Sequence, residues 1–413
     1  MIWRDSRLGK VWASVSNYGL RAGLLDAAAR WMRNRLSVPH NLMHDHKWIL
    51  NKDCPAMLRG PDSGPLKINW LIQNVDGKGS GGLFNIFRVI YHSEYWGHKH
   101  RVYMVGKTAA NGEQATHAAR KYYFPIKAEI EVFTGEVADS DALVATSWVT
   151  AYTARALGNT ARKFYFVQDL ENHFFPEGSF CEFVRQTYRW DFYGITAGQW
   201  IAGVLRTEFG MECSAFGFSY DRETYSPKGS RRFSDGKKRV LFYARPSTER
   251  RGFELGILAL SLVASKMPDT QFVLVGFPPR SIQLPFSAVV LGVLSAPELA
   301  ALYRSCSVAL VLSHTNLSLL PLELMASGCA VISNSGPNVE WLLTDDVAQL
   351  ASPTPEALAE AVSAMLGNEP LRAQKAAAGL AFAQRTDWIS EVKAVESAFY
   401  RGLGIASPDK QHE

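Results

Sequence analysis

The chain has 413 residues, 47% of them hydrophobic and 20% charged, a balance that excludes disorder, coiled coil and a small disulfide scaffold. At about 150 residues per domain it predicts two to three domains. The net charge of +5 sits in residues 1–40, which hold seven Lys or Arg against two Asp or Glu. The remainder is neutral and argues against a nucleic-acid partner.

Eleven Trp and 22 Phe supply apolar area for a core in each domain. Cys54, Cys181, Cys213, Cys306 and Cys329 are scattered and read as cytosolic thiols or core fillers. No apolar run approaches the roughly 18 residues of a membrane span, and Trp3-Arg4-Asp5 begins no signal core, so a cytoplasmic location is expected.

Residues 1–65 read as a helical, basic N-terminal extension. Over Leu20–Leu36, Leu20, Leu24, Ala28, Trp31 and Leu36 share one side while Arg21, Arg30, Arg33 and Arg35 lie nearer the other. Such a helix either packs on the protein's own body, the reading we favour, or makes peripheral contact with an anionic inner-membrane face.

From Lys67 short apolar runs alternate with helical stretches. INWLIQNV, a Gly-rich turn, the helix-like run Gly82–Gly97 and HRVYMVG come first; ALVATSW, FYFVQDL, FYGITAG, the helix Trp200–Phe209 and CSAFGF follow. That alternation predicts a parallel sheet covered by helices, here a first Rossmann-like domain over residues 66–225. Residues 226–238, SPKGSRRFSDGKK, lack apolar periodicity and read as a linker.

The alternation then restarts with RVLFYAR, a helix over Phe253–Ser265, QFVLVGF, AVVLGV, a helix over Ala296–Ser305, VALVLS, a helix over Leu322–Ser327 and CAVISN. This is a second Rossmann-like domain over 226–395, followed by a helix end and polar tail over 396–413. The fold class is α/β, two such lobes facing a cleft between the carboxyl ends of their sheets, where open sheets of this kind bind ligands.

Three constellations carry chemistry. The loop Asp76-Gly77-Lys78-Gly79-Ser80-Gly81-Gly82 opens a helix and lets backbone N–H groups approach an anionic or hydroxylated ligand, or is a flexible turn. Arg245 at a strand end and Arg251 at the next helix start form a candidate diphosphate clamp. Arg250 and Arg251 could instead be a solvated pair, but cations are disfavoured at a helix N-terminus unless they serve something else. In LSHTNLSLLPLELMASG, loop N–H groups around Asn316, Ser318 and Leu319 face a phosphate and sugar, while Glu323 accepts from ribose hydroxyls. A surface carboxylate is the bland alternative for Glu323, which sits among Leu320, Leu322, Leu324 and Met325.

Asp139-Ser140-Asp141 precedes an apolar strand and reads as a loop end, and His40, His44, His46, His98, His100, His117 and His173 show no paired ligand spacing. No metal is expected.

In this order the three features resemble a GT-B glycosyltransferase close to family 4 of the sequence-based classification, over Lys67 to Trp388. In that family an Arg and a second cation six residues on hold the donor diphosphate, and a Glu, seven residues, Glu motif binds the donor. Arg245 and Arg251 keep the offset and Glu323 matches the second Glu, whereas Thr315 stands where the first belongs. That loss, with Phe166-Val167-Gln168-Asp169-Leu170-Glu171, is similar to the rhamnan-synthesis rhamnosyltransferases.

The resemblance implies a dTDP-rhamnose donor, a saccharide or lipid-linked glycan acceptor, no cofactor and retention of anomeric configuration through front-face attack. A donor phosphate oxygen can then take the acceptor proton. Asp169 is the candidate for orienting acceptor or sugar hydroxyls or acting as base, with Gln168 as a further contact and Glu171 as the alternate. A catalytically silent sugar-nucleotide-binding partner and a sugar-nucleotide epimerase on the same fold are the competing expectations.

Overall fold

The computed structural model describes residues 47–75, 80–106, 111–279 and 282–407. The basic stretch Leu20–Leu36, His40, His44, His46 and the loop residues Asp76–Gly79 lie outside the described residues. By internal contacts Met1–Asn51 and Lys52–Glu413 are separate units. The first contains a 3-10 turn at Lys47–Leu50; the second holds both sheets.

The first sheet has strands β1 (Lys67–Ile72), β2 (Lys99–Met104), β3 (Ile130–Val132), β4 (Ser140–Ala145), β5 (Thr160–Val167), β6 (Tyr193–Ala197) and β7 (Cys213–Phe216). Its order is β3-β2-β1-β4-β5-β6-β7 and its pairs are parallel. Between the strands run α1 (Gly81–Tyr95), α2 (Gly112–Tyr122), α3 (Trp148–Arg155), α4 (Ser179–Tyr188) and α5 (Gln199–Phe209). Five of the six β1 residues are buried, the continuous apolar run of a strand covered on both faces. Ser80 caps α1, its hydroxyl accepting from Leu83 N–H, so the Gly-rich segment ends in a defined helix start.

The second sheet has β8 (Arg239–Tyr243), β9 (Gln271–Val275), β10 (Ala288–Val290), β11 (Val308–Val311), β12 (Ala330–Asn334) and β13 (Gln349–Ala351), in the parallel order β10-β9-β8-β11-β12-β13. Its helices are α6 (Phe253–Lys266), α7 (Ala296–Tyr303), α8 (Leu320–Ala326), α9 (Pro337–Glu340), α10 (Pro355–Gly367) and α11 (Glu369–Arg385). Strand order reverses between β1 and β4 in one sheet and between β8 and β11 in the other, and crevices open at the carboxyl ends of strands at such points.

The last helix, α12 (Trp388–Leu403), corrects the expected domain boundary. Val392, Val395, Ala398 and Phe399 form one buried stripe at helical spacing, and that stripe packs against the first sheet rather than the second. Phe399 meets Phe164 edge-on at 5.0 Å and Trp70 at 6.1 Å between ring centroids. Tyr400 donates from its hydroxyl to Gly64 O at 2.8 Å, and Glu396 pairs with His98 Nε2 at 2.7 Å. The first lobe is therefore closed by a segment from beyond the second, and residues 388–395 leave the second domain as drawn from sequence. Residues 52–65 likewise join the first lobe: Met57 and Leu58 N–H donate to Gly158 O and Thr160 O.

A glycine fixes one contact between lobes. Gly198, at φ +95°, starts α5 under the ring of Trp341, which a Cβ would approach to 2.7 Å. Both the backbone conformation and the space select glycine there.

Candidate functional site

The loop after β5 in the first sheet meets the loop after β11 in the second. After β8 the chain turns tightly, with Thr248 N–H donating to Arg245 O and Arg251 N–H to Thr248 O, and Gly252, at φ +60°, leads into α6. This turn sends the Arg251 side chain under the loop that follows β11. Its Nη1 donates to Ser313 Oγ at 2.6 Å and to Asn316 O at 2.9 Å. Burial lowers its pKa to about 10, which leaves it charged at neutral pH.

That loop is built rigidly. Asn334 accepts from Ser313 N–H and donates to Ser313 O, and Asn338 donates to Ser313 O and Thr315 O. Thr315 and Asn316 are buried, the latter completely. The Asn316 amide nitrogen donates to Gln168 O at 3.0 Å and to Ala197 O at 2.7 Å, both in the first lobe. The bonded donors fix one geometry, while the Asn316 Oδ1 is buried without a hydrogen-bond partner among the described residues.

Asp169 follows β5 and reaches the same loop. Oδ1 accepts from Asn316 N–H and Leu170 N–H, each at 2.9 Å, and Oδ2 accepts from the Thr315 hydroxyl at 2.9 Å. Arg250 Nε stands 3.5 Å from Oδ2, and the Arg250 guanidinium lies 4.0 Å over the ring of Phe174 from the first lobe. A charged pair with this little solvent exposure is strengthened by the low local dielectric. Thr315 thus holds the Asp169 carboxylate across the cleft.

One hydrogen-bonded chain unites five of the expected residues. Gln168 Nε2 donates to Gly82 O at 3.1 Å and Asn85 donates to Gln168 Oε1 at 2.9 Å. From Gly82 the chain runs through Gln168 to Asn316, and from Asn316 to both Asp169 and Arg251. Gly81 lies in open space, and Gly82 has room for no side chain without displacing the Gln168 amide, 3.2 Å from a built Cβ. Ser318 and Leu319 are half-buried, Leu319 at the N-terminus of α8. Arg245 stays exposed, its guanidinium 5.2 Å over the Tyr243 ring.

One expected contact is placed elsewhere. Glu171 does not face the cleft: its Oε2 accepts from Trp148 N–H and from the Tyr165 hydroxyl, each at 2.6 Å. Burial raises its pKa to about 7, against those two hydrogen bonds. It serves the start of α3 inside the first lobe, because the 3-10 turn after Leu170 carries it back under the sheet. Glu323 is half-buried, with burial raising its carboxyl to about 7 although the Tyr225 hydroxyl donates to it. Tyr225 in turn stacks on Tyr303 at 5.9 Å.

Sequence reasoning missed Arg250 as a bridge, Asn334 and Asn338 as the scaffold of the loop, and Tyr225 as the partner of Glu323. A pair of arginines beside a tight turn was the available signal for the first. The asparagines carried none, since their role depends on three segments meeting.

The Glu323 carboxyl gives a pH-dependent prediction. Its pKa of about 7 exceeds that of an unfolded glutamate, so the folded state gains a proton between them and loses stability as pH rises toward and through 7. Glu323→Gln keeps an acceptor for Tyr225 without the buried charge. We expect it to stabilise the protein by about 2 kcal/mol at pH 8 and by almost nothing at pH 4. Melting temperatures at the two pH values check this, and an equal effect at both would refute the buried, charge-bearing carboxyl.

Two Rossmann-like lobes of parallel strands, whose loops after β5 and β11 meet, define the GT-B fold. Comparison with known proteins agrees. Residues 238–363 match the family described as WsaF, C-terminal domain. The O-antigen biosynthesis protein RfbC of Myxococcus xanthus is 35% identical over 260 residues, covering 62% of this chain and 20% of that protein; the match spans only about a fifth of that relative.

Among solved structures, sucrose-phosphate synthase of Thermosynechococcus elongatus superposes with a TM-score of 0.62 at 14% identity, covering 82% of this chain and 99% of that one. HepE of Anabaena in complex with UDP-glucose gives 0.62 at 16% identity, with 80% and 99% covered. No described helix is long and apolar enough to cross a membrane.

Proposed function

We propose that this chain is a glycosyltransferase of bacterial surface-polysaccharide synthesis, moving a sugar from a nucleoside-diphosphate donor to a saccharide or lipid-linked glycan acceptor at the cytoplasmic face. The name of the Myxococcus relative, an O-antigen biosynthesis protein, and the UDP-glucose bound by the Anabaena neighbour support the class. The replacement of the first family Glu by Thr315 and the Phe-Val-Gln-Asp segment favour dTDP-rhamnose as donor.

One observation carries the reading: an exposed guanidinium, Arg245, stands in the same β8 turn as Arg251, whose side chain is bonded into the Asp169–Asn316 junction of the lobes. A leaving diphosphate in the crevice would be neutralised by Arg245, with Arg251 holding the loop that faces it and no metal required. In front-face transfer with retention, a phosphate oxygen of the leaving group takes the acceptor proton. Asp169, its oxygens engaged by Thr315, Asn316 and Leu170, braces the loop instead of abstracting that proton.

Arg245→Ala tests the reading. Loss of one charge-assisted contact is expected to weaken dTDP binding about tenfold or more with an unchanged melting temperature, since the side chain is exposed. Calorimetry that finds wild-type affinity would remove the clamp. The engagement of Asp169 also suits a catalytically silent nucleotide-sugar binder. That reading holds if the purified chain binds donor but consumes none with any saccharide acceptor, and donor isomerisation without acceptor would point to an epimerase.

A further inference from the structure

At the opposite end of the second sheet lies a second cationic site. The strands are parallel, so the amino ends of β8, β11 and β12 face away from the cleft. There a cavity of about 710 Å³ is bounded by Arg231, Lys237, Arg239, Arg304 and Arg372. Glu369 is its one carboxylate among the described residues, 3.7 Å from Arg372 and 80% exposed. Five cations to one anion is a local concentration in a body whose charge balances beyond residue 40.

The arrangement is built, not a scatter of surface side chains. Arg239 is 2% exposed, with its guanidinium bonded to Asp235 and Gln271 and 4.3 Å over the Phe233 ring. Asp235 is therefore spent on Arg239. Arg304 donates from Nε to Ser230 O at 2.8 Å and from Nη1 to Ser226 O at 3.1 Å, and the linker folds over it at Gly229, where a Cβ would come within 3.2 Å. Burial and, after it, the neighbouring Arg231 charge both disfavour the charge on Arg304. Like charges placed together around an open cavity cost stability unless an anion sits between them.

We propose that this cavity binds a phosphate-bearing anion, the phosphate held by Arg231, Lys237 and Arg304. Part of its wall comes from the segment 226–238 that joins the two domains, so occupancy braces the linker. The volume exceeds that of a lone phosphate and accommodates a phosphorylated headgroup or a pyrophosphate. The site shares no residue with the donor crevice and does not depend on the glycosyltransferase reading.

The test uses the full chain, so the basic stretch of residues 1–40 is present throughout, in an Arg245→Ala background that weakens the donor crevice. Binding is measured to inorganic pyrophosphate by calorimetry, and to phosphatidylcholine vesicles with and without phosphatidylglycerol by co-sedimentation. Adding Arg231→Glu and Lys237→Glu is expected to weaken at least one of these about tenfold or more. Both side chains are exposed, so the fold should persist. Arg231→Gln with Lys237→Gln serves if the reversal does not fold. Loss with pyrophosphate identifies a soluble phosphate ligand, and loss with phosphatidylglycerol vesicles alone a lipid headgroup. Unchanged binding to both overturns the proposal.

Discussion

Asp169→Ala should reduce sugar transfer about a hundredfold, because the loop that faces the donor loses its brace and its alignment, and should also lower stability by about 3 kcal/mol. The side chain accepts from Thr315, from Asn316 N–H and from Leu170 N–H, and stands 3.5 Å from Arg250. Truncation leaves a half-buried guanidinium over Phe174 without its counterion and two buried donors of the second lobe without an acceptor. Asp169→Asn separates the contributions: the amide oxygen still accepts from Asn316, but the charge facing Arg250 is gone. We expect Asn to recover most of the stability and little of the activity. Wild-type turnover in Asp169→Ala, measured as nucleoside-diphosphate release, would show that the junction has no part in the reaction.

Arg251→Ala carries the other large effect. The sequence suggests a direct phosphate ligand; in the structure Arg251 is half-buried and its Nη1 bonds Ser313 Oγ and Asn316 O, so it also supports the loop after β11. Its removal leaves the loop after β11 without its lower support. Donor affinity should fall by about a hundredfold or more and the melting temperature should fall with it, about 3 kcal/mol for an unpaired buried network. Arg245→Ala, by contrast, should weaken binding without moving the melting temperature. Arg251→Lys should not restore the wild type, because a flexible ammonium does not reproduce the guanidinium fork. Equal and purely affinity-based losses in Arg245→Ala and Arg251→Ala would restore the symmetric clamp.

Much of the lower level was legible. The alternation of apolar runs with helical stretches sets two parallel sheets because strands covered on both faces must be apolar throughout, and the polar segment 226–238 parts them. The positions of Gly82, Arg245, Arg251 and Asn316 after the strands that bound each reversal of order follow from the same pattern. Even the misfit of two arginines at a helix start was a signal, resolved by the loop beneath which Arg251 lies.

What the sequence could not decide is partnership across distance. Whether Glu171 turns toward the cleft or back to Trp148 depends on a single 3-10 turn. The helix Trp388–Leu403 is amphipathic wherever it packs, and only the surface left open beside Trp70 and Phe164 draws it to the first lobe. The junction of Asp169 with Thr315 and Asn316 joins segments nearly 150 residues apart. Local periodicity specifies which face of an element is buried, but not against what. Hydrogen bonds between loops depend on the relative placement of two domains, which no local pattern encodes.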